Sequence, residues 1–121
     1  MAVEADRIFY GVGRLDLHMP YCRSLKDKRA ILSSLKGRLA ERARVAVIDV
    51  GPQDLWQRGT LGICLVARDD LQVRQSLSSL VRLVEDEDGV VVLSFRTRTG
   101  SLGDEICSDD EEPEDEEEDG E

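Results

Sequence analysis

The sequence predicts an α+β domain in which four strands and two helices follow one another in the order β-α-β-β-α-β. Three observations predict it. Four runs are rich in β-branched and other apolar residues, and the first alternates clearly between apolar and polar side chains. Two longer segments repeat leucine or valine at helical spacing. Because each helix has a single apolar stripe to bury, both are expected on one face of an antiparallel sheet, which is the ferredoxin-like arrangement.

The first strand is predicted at residues 7–19, and Pro20 ends it. The first helix follows, with Ser24 as its N-cap and Asp27 in position to complete a variant of the capping box. We expect this helix to fade near Ala43. Its buried stripe is Leu25, Leu32, Leu35 and Leu39.

Two further strands, a second helix and a last strand are predicted after the first helix. The segment GPQDLWQRG lies between the second and third strands. It is too long for a tight hairpin turn, so we predict a structured loop. The second helix presents an apolar stripe of Val73, Leu77, Leu80 and Val84. The predicted elements are strands at 45–50, 60–67 and 90–99 and a helix that begins near Asp69 or Asp70 and ends at Gly89.

Charge is divided unequally along the chain, whose formal net charge is −10. Residues 104–121 hold 13 acids and no Lys or Arg, whereas residues 1–103 hold 13 acids and 16 bases. We therefore predict one mildly basic ferredoxin-like domain over residues 1–103 and a disordered acidic tail over residues 104–121.

The first helix is the most basic part of the domain. Between Cys22 and Arg44 there are eight cations and two acids. Cations crowd the start of the helix, where unpaired N–H groups already carry partial positive charge, so this placement costs stability in the absence of an anion. One interpretation is a site for the phosphates of RNA or the ribosome, and the other is an ordinary solvated helix face. The candidate RNA-binding residues are Arg23, Lys26, Lys28, Arg29 and Lys36, with Trp56 and Arg58 from the loop.

Two of these candidates and the tail have alternative interpretations. Lys28 falls near the apolar stripe, so it must reach outward or meet an acid such as Asp49 or Asp54. Trp56 is expected to close an end of the core, and the alternative is base stacking at a loop tip. The acidic tail either competes with RNA by folding back on the domain or only aids solubility.

The sheet face away from the helices is predicted to be apolar at its centre, which is typical of an association surface. Homodimerisation through this face is the alternative function, although strand preference alone also explains valines. Tyr10 is the one aromatic residue assigned to this face, which argues against base stacking on the sheet. The candidate interface residues are Val12, Val45, Val47, Val66, Val90 and Val92.

No catalytic site is predicted. His18 is the single histidine, and Asp16 on the same strand face is its one evident partner, so an enzyme using this pair is a remote alternative. The sequence contains no phosphate-binding loop, zinc ligand set, nucleophile elbow or calcium loop, and we expect no metal and no cofactor.

The chain is expected in the cytoplasm and away from membranes. Its three cysteines have no spacing typical of a zinc site or a redox pair, so they are interpreted as free thiols. The N-terminus does not have the pattern of a secretory signal, and no apolar run approaches the roughly 18 residues that span a bilayer.

Three motifs, in this order and spacing, resemble those of the YlxP-like family, a domain of unknown function in small bacterial proteins. They are SLKDKR at 24–29, LKGRL at 35–39 and QDLWQRGTLGI at 53–63. The resemblance covers about residues 7–99 and implies a ferredoxin-like fold without an established activity. Because such genes commonly neighbour those for transcription elongation, translation initiation and ribosome maturation, it also implies a role near RNA. This chain departs from the family in having Ala43 where an aromatic is usual and Asp49 where Glu is usual.

Overall fold

The computed structural model of the chain describes residues 6–104, so the acidic tail beyond Asp104 lies outside the described residues. The described chain has the α+β, ferredoxin-like element order that the sequence predicts. Its strands are β1 (Ile8–His18), β2 (Ala46–Gly51), β3 (Arg58–Ala67) and β4 (Val91–Leu102), and its helices are α1 (Leu25–Arg38) and α2 (Asp70–Glu85). A π-helical turn, Leu39–Ala43, extends α1.

The strands of residues 6–104 form one antiparallel sheet in the order β2-β3-β1-β4. Both helices cover the same face of it, and the core between them contains Leu15, Leu17, Leu35, Leu61 and Leu80 at 0% exposure. The close approach of α2 to β1 requires a glycine. A Cβ atom at Gly11 would lie 2.8 Å from Cγ1 of Val73, so no larger residue fits there without displacement.

The helix starts follow the predicted caps. The hydroxyl of Ser24 accepts a hydrogen bond of 3.1 Å from the Asp27 backbone N–H, and the Asp27 carboxylate accepts one of 3.0 Å from the Arg23 N–H. This pair is the predicted variant of the capping box, in which Asp27 accepts from the residue before the N-cap, and it places a carboxylate at the positive end of α1. Asp69 caps α2 in a similar way by accepting from the Gln72 N–H at 2.8 Å.

The predicted facing of β2 and β4 is wrong. Val45 and Val90 are buried, and Val47 and Val92 pack against the core, so these four candidate interface residues lie on the helix side of the sheet. The side chain of Ile48, by contrast, is 64% exposed. Of the candidate interface residues, Val12 and Val66 do lie exposed on the open face.

Strand register explains the error. The prediction oriented each strand by its bulkier apolar residues, but Val47 pairs with buried Ile63. In β4, Val92 pairs with Leu17, whereas Ser94 pairs with Asp16, so Leu93 is an extra residue in the ladder. This bulge turns both Val92 and Phe95 inward, which simple alternation does not allow.

Candidate nucleic-acid interface

Lys28 joins the first turn of α1 to the loop between β2 and β3. Its side chain lies in the stripe predicted for the core and is 4% exposed. The Nζ atom donates hydrogen bonds to the carbonyl oxygens of Pro52 and Leu55, the latter at 2.8 Å. The expectation that Lys28 contacts external phosphate is therefore wrong, and its partners are backbone carbonyls and not the acid that was one of its two predicted alternatives. Backbone carbonyls satisfy it because the loop folds over the start of the helix.

A second set of hydrogen bonds holds the same loop in place. The side-chain amide of Gln57 donates to the carbonyl oxygens of Pro20 at 3.1 Å and Cys22 at 3.3 Å. The Met19 N–H donates to the Gln57 carbonyl at 2.9 Å. The loop is thus fastened both to α1 and to the segment that precedes it.

Trp56 lies between two of these fastened positions, Leu55 and Gln57, and its side chain is 49% exposed. It does not belong to the buried core, so the expectation that it closes an end of the core is wrong. A shallow depression lined by residues 54–58 surrounds it. The structure therefore presents the indole beside the start of α1, on a loop whose backbone is held in place.

The other candidate cations lie on α1, just before it or on the loop beside it. Arg23, Lys26, Arg29 and Arg58 are exposed, and Lys36 is half-buried. Within residues 6–104, none of the five side chains forms an ion pair. Together with Trp56, these five residues are called the α1 surface below.

The opposite flank of α1 is neutralised. Arg38 Nη1 lies 2.5 Å from the Glu87 carboxylate beyond the C-terminal end of α2. Arg38 is therefore not available to bind an external anion, whereas Arg29 and Lys36 are. These two residues are seven positions apart and lie on the flank away from this ion pair.

A further group of cations lies on the open face of the sheet, and sequence reasoning missed it as a unit. Arg14 pairs with Arg96 across β1 and β4, and Val12 pairs with Arg98, so Arg14, Arg96 and Arg98 form a cluster called the arginine row. The signal in the sequence was the period-two spacing of Arg96 and Arg98. Only the register shows that Arg14 joins them.

Asp16 is the acid beside this row, and its side chain is 17% exposed. It accepts hydrogen bonds from Thr60 at 2.7 Å and Ser94 at 3.0 Å. The Oδ2 atom of Asp16 lies 3.4 Å from Arg14 Nε and 3.8 Å from Arg96 Nη2. Burial raises the pKa of Asp16, but the bonds from Thr60, Ser94 and Arg14 outweigh it and leave the pKa below its ordinary value.

Asp16 and His18 have separate partners in the described part of the chain. His18 Nδ1 lies 3.2 Å from the carbonyl oxygen of Gln57, and the bonds to Asp16 come from hydroxyl and guanidinium groups. Among residues 6–104, no group of three or more His, Cys, Asp or Glu side chains could hold a metal ion. The described residues also include no helix long and apolar enough to cross a bilayer.

The other half of the open face is apolar. Ile48 and Val50 from β2 pack over Gly62 of β3, and they remain 64% and 51% exposed. Val66 is 71% exposed and Val12 50% exposed on the neighbouring strands. These four residues are called the apolar half below.

Comparison with known proteins places the chain among proteins without an assigned function. The model of DUF503, a protein family of unknown function, matches residues 10–97. The uncharacterized protein YlxP of Bacillus subtilis (strain 168) is 32% identical over 82 residues, which cover 68% of this chain and 78% of that protein.

Solved structures resemble the chain at low sequence identity. The structural-genomics protein YJCS is 6% identical with a TM-score of 0.46, and the match covers 74% of this chain and 96% of that one. The de novo designed protein Foldit4 is 8% identical with a TM-score of 0.44, over 78% of this chain and 96% of that one.

Proposed function

The chain belongs to DUF503, a family of proteins of unknown function, and on that premise we propose that it binds the phosphate backbone of RNA, free or in the ribosome, through the α1 surface. The proposal assigns no catalytic step, cofactor or metal to the protein. It places the protein in the cytoplasm, in keeping with the free thiols of Cys22 and Cys64.

The observation that carries the proposal is that no carboxylate of residues 6–104 forms an ion pair with the α1 surface. Arg23, Lys26 and Arg29 extend into solvent, and within residues 6–104 no acidic side chain pairs with them. The carboxylate of Asp27 is engaged with the backbone N–H of Arg23 in the capping box. The local surplus of positive charge favours a ligand that presents several phosphates in a row.

Trp56 gives a second reason to choose RNA over a smaller anion. An exposed indole beside cations supplies a stacking platform next to backbone contacts, which is how single-stranded nucleic acid is commonly held. The fastening of the loop through Lys28 and Gln57 lowers the entropy cost of presenting Trp56 and Arg58.

Salt dependence of RNA binding tests this function. A labelled single-stranded RNA is titrated with the full chain and with a full-length variant whose acids from Asp109 to Asp119 are replaced by their amides. The variant removes any competition between the acidic tail and RNA. We expect affinity to fall with salt at a slope of about 0.7 per phosphate contacted, in log units of affinity per log unit of salt. The absence of binding by both proteins at low salt, or binding that salt does not weaken, would contradict the proposal.

The second candidate function is homodimerisation, now through the apolar half of the open face. The exposed apolar side chains of Ile48, Val50 and Val66 favour it. Sedimentation of Ile48→Lys tests it, with Leu71→Lys as the matched control because both side chains are 64% exposed. This candidate predicts a dimer in the wild type and the control and a folded monomer in Ile48→Lys, and it fails if the wild type is monomeric.

A further inference from the structure

We propose that the acidic segment from Asp109 to Asp119 of this same chain binds the arginine row on the open face of the sheet. Binding of the tail to this row does not depend on RNA binding by the α1 surface. The two cationic regions of the domain then have different ligands, because the tail binds the arginine row and leaves the α1 surface free.

The arginine row has more positive charge than its surroundings neutralise. Asp16 is its acidic neighbour, and this carboxylate is shared between Arg14 at 3.4 Å and Arg96 at 3.8 Å. The side chains of Arg14 and Arg96 remain 55% and 70% exposed despite that contact. Arg98 has no ion pair within residues 6–104. Each guanidinium group carries five N–H donors, so most of their donors are available to another carboxylate.

The tail has the complementary charge. Ten acids lie between Asp109 and Asp119, and there is no Lys or Arg among them. Arginine forms planar, two-pronged hydrogen bonds with carboxylates, so a row of arginines suits a run of acids better than isolated ammonium groups do.

The exit point of the tail favours the arginine row over the α1 surface. β4 ends at Leu102, which pairs with Ile8 at the start of β1. Arg98 lies four residues back along β4, about 14 Å away, and Arg96 about 20 Å away. The seven residues from Leu102 to Asp109 span at most about 23 Å, so the acidic run begins within reach of both.

The start of α1, with Arg23, Lys26 and Arg29, lies at the other end of the domain. α1 starts after His18 at the end of β1, ten residues from the point where the tail leaves the sheet. That separation is about 34 Å along the strand, followed by a step from the sheet to the helix layer. The acids from Glu114 onward reach that far only when the tail is nearly fully extended, and they would do so at a lower effective concentration than at the arginine row.

Backbone amide NMR shifts of two full-length proteins test the proposal. The wild type is compared with the variant whose acids from Asp109 to Asp119 are amides. We expect shift differences at Val12, Arg14, Arg96 and Arg98 that vanish at high salt, with none at Lys26 and Arg29. Differences centred on α1, or no differences within residues 6–104, would overturn it.

The native cysteines provide a second measurement in the unaltered chain. Cys64 is exposed on the open face and pairs with Val12, which in turn pairs with Arg98. Cys107 lies five residues beyond Leu102, so the docked tail brings the two thiols within reach of a short bismaleimide. We expect the intrachain crosslink to form more slowly in Arg96→Gln/Arg98→Gln than in the wild type and in Lys26→Gln/Arg29→Gln. Equal rates in all three proteins would contradict docking on the arginine row.

Discussion

Lys28 Nζ donates a hydrogen bond of 2.8 Å to the carbonyl oxygen of Leu55, and this contact joins the first helix to the loop that presents Trp56. A long cationic side chain is placed in the core stripe of an amphipathic helix because the loop supplies carbonyl acceptors at its end. The contact makes the helix start and the loop one surface.

Replacing Lys28 by methionine should weaken the attachment of the loop to α1 and destabilise the domain. The change retains most of the apolar stem but removes the donor to Pro52 and Leu55. We expect the free energy of unfolding to fall by about 1–3 kcal/mol, measured by chemical denaturation. Lys26→Met is the matched control because Lys26 is exposed on the same helix, and its stability should stay within about 0.5 kcal/mol of the wild type. Equal stability of the two variants would show that the hydrogen bonds of Lys28 contribute nothing measurable.

Trp56 should report RNA binding directly. It is the single tryptophan of the chain and is 49% exposed, so its fluorescence is free of other indole signals. We expect single-stranded RNA to quench the emission and Trp56→Ala to weaken binding by about 1–3 kcal/mol, the value of one stacked base. Leu55→Ala, a neighbour that is 48% exposed, is the control and should bind normally. RNA binding without any change in emission would remove Trp56 from the interface.

Asp16 should make folding stability depend on pH in the acid range. Its pKa is below the ordinary value in the folded chain, so its contribution is complete above the unfolded carboxyl pKa of about 4 and is lost as the pH falls through the lower folded pKa. We expect Asp16→Asn to be less stable than the wild type by about 1–3 kcal/mol at pH 7 and the difference to shrink below pH 4. Asp54→Asn, at an exposed loop position, is the control and should stay within about 0.5 kcal/mol of the wild type at pH 7. A pH-independent difference would mean that the ionised carboxylate is not what stabilises the site.

Gly11 should tolerate no side chain. Even an alanine Cβ would lie 2.8 Å from Val73 Cγ1 and 3.0 Å from Leu77 Cδ1, so these side chains or α2 itself must move. We expect Gly11→Ala to lower the free energy of unfolding by about 1–3 kcal/mol. Gly37→Ala is the opposite control, because no atom lies within 4 Å of the added Cβ and alanine favours a helix, so stability should rise by about 0.5–1 kcal/mol. A neutral Gly11→Ala would contradict the tight packing of α2 on β1.

The sequence was sufficient for the element order and the helix starts because local signals determine them. Ser24 caps α1 as predicted, and Asp69, one of two residues between which the prediction did not choose, caps α2, since a capping side chain acts on N–H groups only a few residues away. The facing of β4 could not be predicted, because it depends on a bulge beside Asp16 that arises only when two distant strands pair. Lys28 was misassigned for a similar reason, since its acceptors lie 24 and 27 residues further along the chain.

The most direct test of the central claim is the salt dependence of RNA binding by Lys26→Gln/Arg29→Gln, compared with Arg68→Gln/Arg82→Gln. Both pairs are exposed and have no ion pair within residues 6–104, so each double variant removes the same charge from a different surface. If the start of α1 holds the phosphates, the first variant binds more weakly and its slope falls by about 1.4, while the control keeps the wild-type slope. Equal slopes for the two variants would contradict the assignment of RNA binding to the α1 surface.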